Sequence, residues 1–480
     1  MKQLFFFLIV VVLASCQNGP RRGQLTKIDP SNIESYGLLR GVTIDQEGFL
    51  LQKNNSSLSS RFKVRNFELT LKVKTTEGAE GELIFATGDA LKRTDGYEIK
   101  INNSDYRNGS AQKTGSLSKI RNNFVRTAND NEWFNLTLVV HGNHIKVKVK
   151  DKTIVDYYQP KNLIRSKTLK DRKLTEGYLK IEKTSKNGSI FIGDMTIVSL
   201  SKELKEEDLT QYKPDSTTTM IDSLNEAEFP LIDFHGHLKG GLTMIQAYQH
   251  AQKLGYNYGI AANCGLKFPV TNDSTLISYL HGIQDEPVLK AMQCEGREWV
   301  TLFKPSLVAQ FDYIFTDAMT WTDLKGRRMR LWIPEETFVG NPEQFMNLLV
   351  SKIESILSQE PVDIHVNPTF LPPQLAADYD KLWTPERMDR VIKVLIKNDI
   401  ALEINSRFKI PSIAFIKKAK EAGVKFTCGT NNGSNNDLGK LEYSLKAIKE
   451  AGLTNSDMFI PQAKNQKKVL KLGLPAKITG

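Results

Sequence analysis

The sequence predicts a multidomain β plus α/β chain: a β-sandwich followed by a closed or nearly closed, TIM-type β/α barrel. Three observations predict it. Between about 26 and 202, short apolar/polar alternations recur between Gly, Asn and Asp clusters, as strands and turns of a sandwich do. A polar break follows at about 203–228. From 229 to 480 a strand-then-amphipathic-helix rhythm repeats seven times, which is the pattern of a barrel. The 480 residues, 40% hydrophobic and 25% charged, suit two or three globular domains.

The N-terminus reads as a targeting segment. Met1-Lys2-Gln3 precedes an apolar run, Leu4 to Leu13, too short to span a bilayer as a mature helix. The run ends Leu13-Ala14-Ser15-Cys16, which resembles a bacterial lipobox. Residues 1–15 are then a lipoprotein signal peptide, Cys16 carries lipid, and 16–25 form a tether. No acidic run follows Cys16. The expected location is the cell envelope, anchored on the periplasmic side of a bacterial membrane, the outer one favoured.

In the first module, Phe67-Glu-Leu-Thr-Leu-Lys-Val-Lys alternates strictly, as does Leu136-Thr-Leu-Val-Val. Gly96-Tyr97-Glu98-Ile, Gly177-Tyr-Leu-Lys-Ile and Ile190-Phe-Ile continue the pattern. Lys146, Lys148 and Lys150 line the exposed face of a half-buried strand. They contribute to a net charge of +11. With no Arg-rich helix, zinc-finger spacing or aromatic stacking motif, that charge does not imply nucleic acid. The break at 203–228 reads as a linker with room for one short helix.

In the second module the expected strands are 230–235, 257–263, 290–295, 312–317, 362–367, 400–405 and 425–430. Helical stretches are expected at 242–254, 343–358, 386–398, 412–422 and 437–450. Cys264, Cys294 and Cys428 lie in these apolar runs. Their odd number and the absence of CxxC point to buried thiols rather than disulfides.

Barrel active sites lie where the strands end. Here the ends are polar one after another: His235 and His237; Asn263; Glu295, Arg297 and Glu298; Asp317; His365 and Asn367; Glu403, Asn405 and Arg407; Asn431 and Asn432. Convergence of so many on one rim makes a polar pocket. His-x-His at a strand end puts two imidazoles on one side. With a nearby Glu, such a pair suits a divalent metal, Zn, Mn or Fe.

Two resemblances rest on these residues. The stretch 229–465 resembles the polymerase-and-histidinol-phosphatase (PHP) superfamily through Asp233-Phe-His-Gly-His237, the strand around Glu295, Phe311-Asp-Tyr-Ile, Asp363-Ile-His-Val-Asn367-Pro368, Leu402-Glu403-Ile-Asn405 and Cys428-Gly-Thr-Asn-Asn432. That resemblance implies a distorted seven-unit β/α barrel with a multinuclear metal site. The sequence departs from the pattern at Met319, Asn367 and Asn431, where the family carries His, His and Asp. Two neutral histidines and one Glu cannot neutralise three divalent cations, so at most one or two metals are expected.

Residues 26–202 resemble the 3-keto-disaccharide hydrolase domain, a concanavalin-like sandwich linked to lyase and hydratase chemistry on 3-keto-glycosides. The resemblance runs through Gly96-Tyr97-Glu98-Ile, Thr114-Gly115-Ser-Leu, Glu132-Trp133-Phe-Asn135, His141-Gly142-Asn143 and Gly177-Tyr-Leu-Lys-Ile. The expectation is an envelope lipoprotein acting on a glycoside or its 3-keto form by metal-assisted hydrolysis or elimination. His235, His237, Glu295 and Glu298 would be metal ligands, and Glu403 or Asp317 the base. Arg297, Arg407, Asn405, Asn367, Asn431 and Asn263 would hold substrate oxygens. The rival expectations are a PHP-type phosphoesterase and a non-catalytic glycan-binding lipoprotein.

Overall fold

The computed structural model describes residues 19–90, 95–104, 111–201 and 215–478. The signal-peptide and lipidation expectations at 1–16, and most of the polar break, lie outside them. Among the described residues no helix is long and apolar enough to cross a membrane.

The alternating segments of the first module pair into two antiparallel sheets. Phe67–Thr75, Phe134–His141, His144–Val149, Lys152–Tyr158 and Ile190–Ser199 belong to the larger one. The smaller runs Gly37–Arg40, Ser57–Ser60, Tyr178–Lys183, Gly81–Thr87, Tyr97–Ile101. Alternate residues such as Leu69, Leu71, Val73, Leu136, Leu138, Ile190 and Ile192 fill the space between them. Lys146 and Lys148 fall on the outward face of His144–Val149, as the alternation requires.

The second module closes into a barrel of seven parallel strands: Ile232–Gly236, Asn257–Cys264, Leu289–Cys294, Tyr313–Thr316, Ile364–His365, Ala401–Asn405 and Phe426–Gly429. All seven expected strands are present. All five expected helices form as well, with ends shifted by up to five residues. Elements that were not expected include a helix at Asp273–Ile283, a hairpin of Thr320–Thr322 with Arg328–Arg330, and short helices at Pro305–Val308, Tyr379–Leu382 and Lys468–Leu472. The three cysteines are buried and free.

The chain between the modules ends in a helix, Ser216–Glu226, capped by Asp215 and packed on the barrel through Ile221. This helix is fastened to the sandwich. Asn225 Oδ1 accepts from the backbone N–H of Asn122 in the sandwich (2.9 Å), and Asn122 Nδ2 donates to Asn225 O (2.8 Å). Arg121 pairs with Asp222 at 2.8 Å.

The sandwich also supplies the barrel's floor. Phe124 N–H donates to Asn257 Oδ1 at the start of the second barrel strand (2.6 Å). The Phe124 and Val125 side chains then pack with Ile232, Phe234, Leu289, Tyr313 and Ile364. These are inward positions at the strands' N-terminal ends, so the loop plugs the barrel from below. Tyr313 crosses the interior to donate to Phe234 O (2.6 Å). It can do so because Gly259 has no Cβ, which would collide with the Tyr313 hydroxyl.

Phe124 is 2% exposed. Truncation to Ala leaves a cavity shared by both modules, with an expected cost of about 3–5 kcal/mol. Urea unfolding followed by tryptophan fluorescence should show that loss. Unfolding of the barrel at unchanged denaturant would refute the plug's role.

Candidate active site

Above this apolar floor the inward positions turn polar. His235, His237, Asn263, Gln293, Glu295, Asp317, Asn367, Glu403, Asn405 and Asn431 form one layer at the strands' C-terminal ends, all but Asn263 buried. The sequence-derived set is therefore brought together, with two exceptions. Arg297 turns to the helical layer, where its guanidinium holds Glu360 (3.0 Å) and Thr316 Oγ1 (2.7 Å). Glu298 is taken by Arg328 at 2.5 Å, outside the cluster. The expected roles of Arg297 in substrate binding and Glu298 in metal binding are corrected accordingly: both serve packing ion pairs.

Glu403 is the hub of the network. Its Oε1 accepts from His235 Nδ1 (2.6 Å). Its Oε2 accepts from the Asn367 backbone N–H (2.7 Å) and from Asn405 Nδ2 (3.0 Å). Burial pushes this carboxyl up, but the His235 imidazole and these donors outweigh it and hold the pKa below the usual value. Gly429 leaves the room, since a Cβ there would strike both Glu403 Oε1 and His235 Cβ. Fully occupied and wholly buried, Glu403 is a positioning residue rather than the expected base.

Asn367 Oδ1 accepts from both Asn405 Nδ2 and Asn431 Nδ2 (each 2.9 Å), while its own Nδ2 donates to Asp317 Oδ2 (3.2 Å). Both Asn367 and Asn431 sit at φ 48°, the left-handed region that asparagine tolerates. Arg407, exposed at the rim, donates to Asn431 O at 3.2 Å.

Glu295 Oε1 accepts from Asn263 Nδ2 at 2.6 Å. Burial, then the neighbouring charge of Asp317, pushes the Glu295 carboxyl up to about 7. Glu295, Asp317 and Asn431 are each 8–9% exposed, against 0% for His235 and Glu403. The Glu295–Asp317 pair thus lies nearer the surface, with the Glu403–His235 pair beneath it. His365 is wholly buried, and burial lowers its pKa to about 4.

The fit of a metal can be tested on the histidines. His235 and His237 stand with ring centroids 5.2 Å apart. Each has Nδ1 tied, to Glu403 and to Ala261 O (3.2 Å), and Nε2 buried without a hydrogen bond. Two such nitrogens are suitable donors. Among the described residues, however, no three His, Cys, Asp or Glu gather as a metal site. The donor set stops at two.

The sandwich holds a second polar layer that sequence reading missed. In the smaller sheet one row reads Ser57, Glu182, Glu82, Lys100 and the next Ser59, Lys180, Ile84, Glu98. Lys180 pairs with Glu182 (3.3 Å), Lys100 with Glu82 (3.5 Å), and Arg172 with Glu98 (2.5 Å). The signal was available: these residues alternate with Leu179, Ile181, Leu83 and Ile99 at period two. Of the other motif residues, Tyr97 is a core residue bonded to Gln159 (2.7 Å). Trp133 lies on the larger sheet beneath Lys72 and Lys74.

Residues 31–195 match the family model of the 3-keto-alpha-glucoside-1,2-lyase-like domain. No curated protein matches the chain. Among solved structures, a Parabacteroides distasonis protein provisionally named a glycosyl hydrolase is 18% identical, with a TM-score of 0.32, covering 37% of this chain and 100% of its own. Carbohydrate-binding module CBM66 of Bacillus subtilis is 15% identical, with a TM-score of 0.25, covering 37% and 96%. The N-terminal module is thus similar to a carbohydrate-acting domain, and the barrel lies outside the family match.

The raised Glu295 carboxyl gives a signed pH dependence. Between its ordinary value of 4.5 and about 7 the folded state holds a proton that the unfolded chain releases. Folding is therefore favoured at the acid end of that window, and the benefit is lost as pH rises through about 7. Glu295→Gln removes this step. Stability curves of the two proteins should diverge across the window, with the variant gaining on the parent. Parallel curves would contradict the assignment.

Proposed function

We propose that the protein acts on carbohydrate, taking a glycoside or its 3-keto form and cleaving it by elimination or hydrolysis at the barrel rim. The observation that carries this reading is the family match over 31–195. The Glu295–Asp317 pair supports the chemistry. In a 3-keto-glycoside the ketone acidifies the proton on C2. Asp317 takes that proton, the C1–O bond breaks as a C1–C2 double bond forms, and Glu295 delivers its proton to the leaving oxygen. A carboxyl near neutrality beside a second carboxylate is suited to this division of acid and base. Asn263, Asn431 and Arg407 lie where they can hold substrate hydroxyls.

The same reading takes the barrel as a PHP-type barrel whose metal-ligand positions have turned to amides at Asn367 and Asn431. It places the chain in the envelope, tethered by lipid at Cys16. The phosphoesterase alternative needs the imidazole and carboxylate ligands that these amides replace.

Turnover of 3-keto-glycosides and parent glycosides, followed by release of the free sugar, tests the proposal. Glu295→Gln and Asp317→Asn should each lower kcat on the order of 100- to 10,000-fold while far-UV circular dichroism is retained. Dialysis against a chelator, with elemental analysis, should leave turnover in place. Sugar binding without turnover by the intact protein would overturn the enzymatic reading.

A further inference from the structure

The end of the sandwich where the described chain begins is basic. Gly19 packs on Phe62, since a Cβ there would lie 3.2 Å from Phe62 Cβ. Arg22 bridges to Ser199, and Gly23 N–H donates to Ser199 O (2.8 Å). Leu200 N–H donates to Asn66 O (2.9 Å), and Val64 bridges to Gly177. Phe67 and Ser199, the first and last residues of their strands, are register partners. Residues 19–23, 61–66, 177–178 and 199–200 therefore meet at one end of the two sheets. They bring together Arg21, Arg22, Arg61, Lys63 and Arg65.

Arg21, Arg22 and Lys63 are exposed, and Leu25 beside them is 60% exposed. Arg61 Nε donates to Gly37 O (3.0 Å), and Lys63 Nζ stands 5.3 Å from the Tyr178 ring centroid. Among the described residues, none of the five has a carboxylate within ion-pair distance. Glu68 and Glu176 are exposed next to these segments, and neither pairs with them. Lysines on the outer face of the larger sheet differ, since Lys74 is held by Glu47 and Lys146 by Asp156. The barrel is fastened elsewhere, through Arg121, Phe124, Lys152 and Thr153.

Cys16 lies three residues before Gly19. Three residues span at most about 11 Å. That reach is close to the Debye length, about 8 Å at physiological ionic strength. A lipid on Cys16 would bring this end of the sandwich into the field of the bilayer surface. Basic residues there are attracted by anionic headgroups, and an exposed apolar side chain gains by entering the headgroup boundary.

We infer that this end of the sandwich is a docking face for an anionic bilayer, with Arg21, Arg22 and Lys63 on lipid phosphates and Leu25 at the headgroup boundary. This rests on the lipid tether proposed at Cys16. A lipid surface suits it better than a free anion, because the cations are spread over an open end rather than gathered around a pocket.

Full-length protein from a bacterial host, in vesicles of phosphatidylcholine with or without phosphatidylglycerol, tests this. The natural thiols of the described residues are buried. A fluorophore is therefore placed at Gln24→Cys, or at Lys186→Cys in the exposed loop at the sandwich's opposite end. A quencher on the lipid headgroups should quench the label at 24 and spare the label at 186. Arg22→Glu combined with Lys63→Glu should lower the docked-to-undocked ratio on the order of tenfold in phosphatidylglycerol vesicles. Added salt should act in the same direction. Equal quenching at both positions, or quenching at 24 that neither charge reversal nor salt alters, overturns the face. Mass analysis for lipid on Cys16 judges the tether separately. A lipidated chain whose label at 24 stays unquenched overturns the face and leaves the tether. A chain without lipid that floats with phosphatidylglycerol vesicles, and no longer does so after the charge reversal, upholds the face and removes the tether. A chain without lipid that floats with neither kind of vesicle overturns both.

Discussion

The barrel closes on one buried carboxylate. Asp233 Oδ1 accepts from the backbone N–H groups of His235 (3.1 Å) and Thr430 (2.9 Å), and its Oδ2 accepts from the Thr430 hydroxyl. It sits where the first and last strands meet through a single register pair, Asp233 with Cys428. Burial pushes its pKa up, and the Thr430 and His235 donors offset part of that cost. Because the clamp fixes 235 and 430 against each other, it also sets the rim residues just beyond them. Asn431 N–H donates to His235 O (2.8 Å), and His237 N–H donates to Asn432 Oδ1 (2.7 Å). The imidazoles, Glu403 and both left-handed asparagines inherit their places from this closure.

The interior is thus a stack of two chemistries. Below, Phe124 and the aromatic rings of Phe234, Tyr313 and Phe315 exclude water. Above, Glu403, Asn367, Asn405 and Asn431 answer one another through hydrogen bonds, while Nε2 of His235 and His237 and both ring nitrogens of His365 have none; the bonded part is a network that low dielectric makes rigid. The amides matter to that rigidity. A carboxylate only accepts, and an imidazole has one donor and one acceptor when neutral. Asn367 accepts twice and donates to Asp317, tying its own strand to three others. These amides serve as struts between the strands.

Much of this was legible in the sequence, and the failures have physical causes. Parallel strands buried on both faces read as apolar runs, so all seven were found. The polar strand ends located the rim because each strand's last inward residue faces one mouth. Direction failed at Arg297 and Glu298, which come after the positive-φ Gly296 where the strand's alternation stops. The helix at Asp273–Ile283 is hard to read because its apolar residues do not gather on one face (Leu276 and Leu280 are buried but Ile277 is exposed), although its Asn272 cap is visible. The plug at Phe124 is a contact between residues more than a hundred positions apart, and no local pattern encodes it. The charged rows of the smaller sheet alternate with apolar ones as a half-buried strand does, but here Glu82, Glu98, Lys180 and Glu182 are buried as well.

Each module holds two crowded carboxylates, and the difference between the pairs bears on where chemistry belongs. In the sandwich Glu82 and Glu182 lie directly opposite on adjacent strands, an arrangement that repels. Lys100 and Lys180 relieve it by ion pairs within the sheet. In the barrel, Glu295 and Asp317 have no ion-pair partner among the described residues, and the crowding is relieved by a proton that Glu295 keeps to about pH 7. A lysine bound to its strand cannot leave the pair it neutralises, but a proton can. The sandwich pair is therefore built to stay as it is, and the barrel pair is built to exchange. On the proposed reading this assigns bond-breaking to the barrel, which the sandwich floors through Phe124.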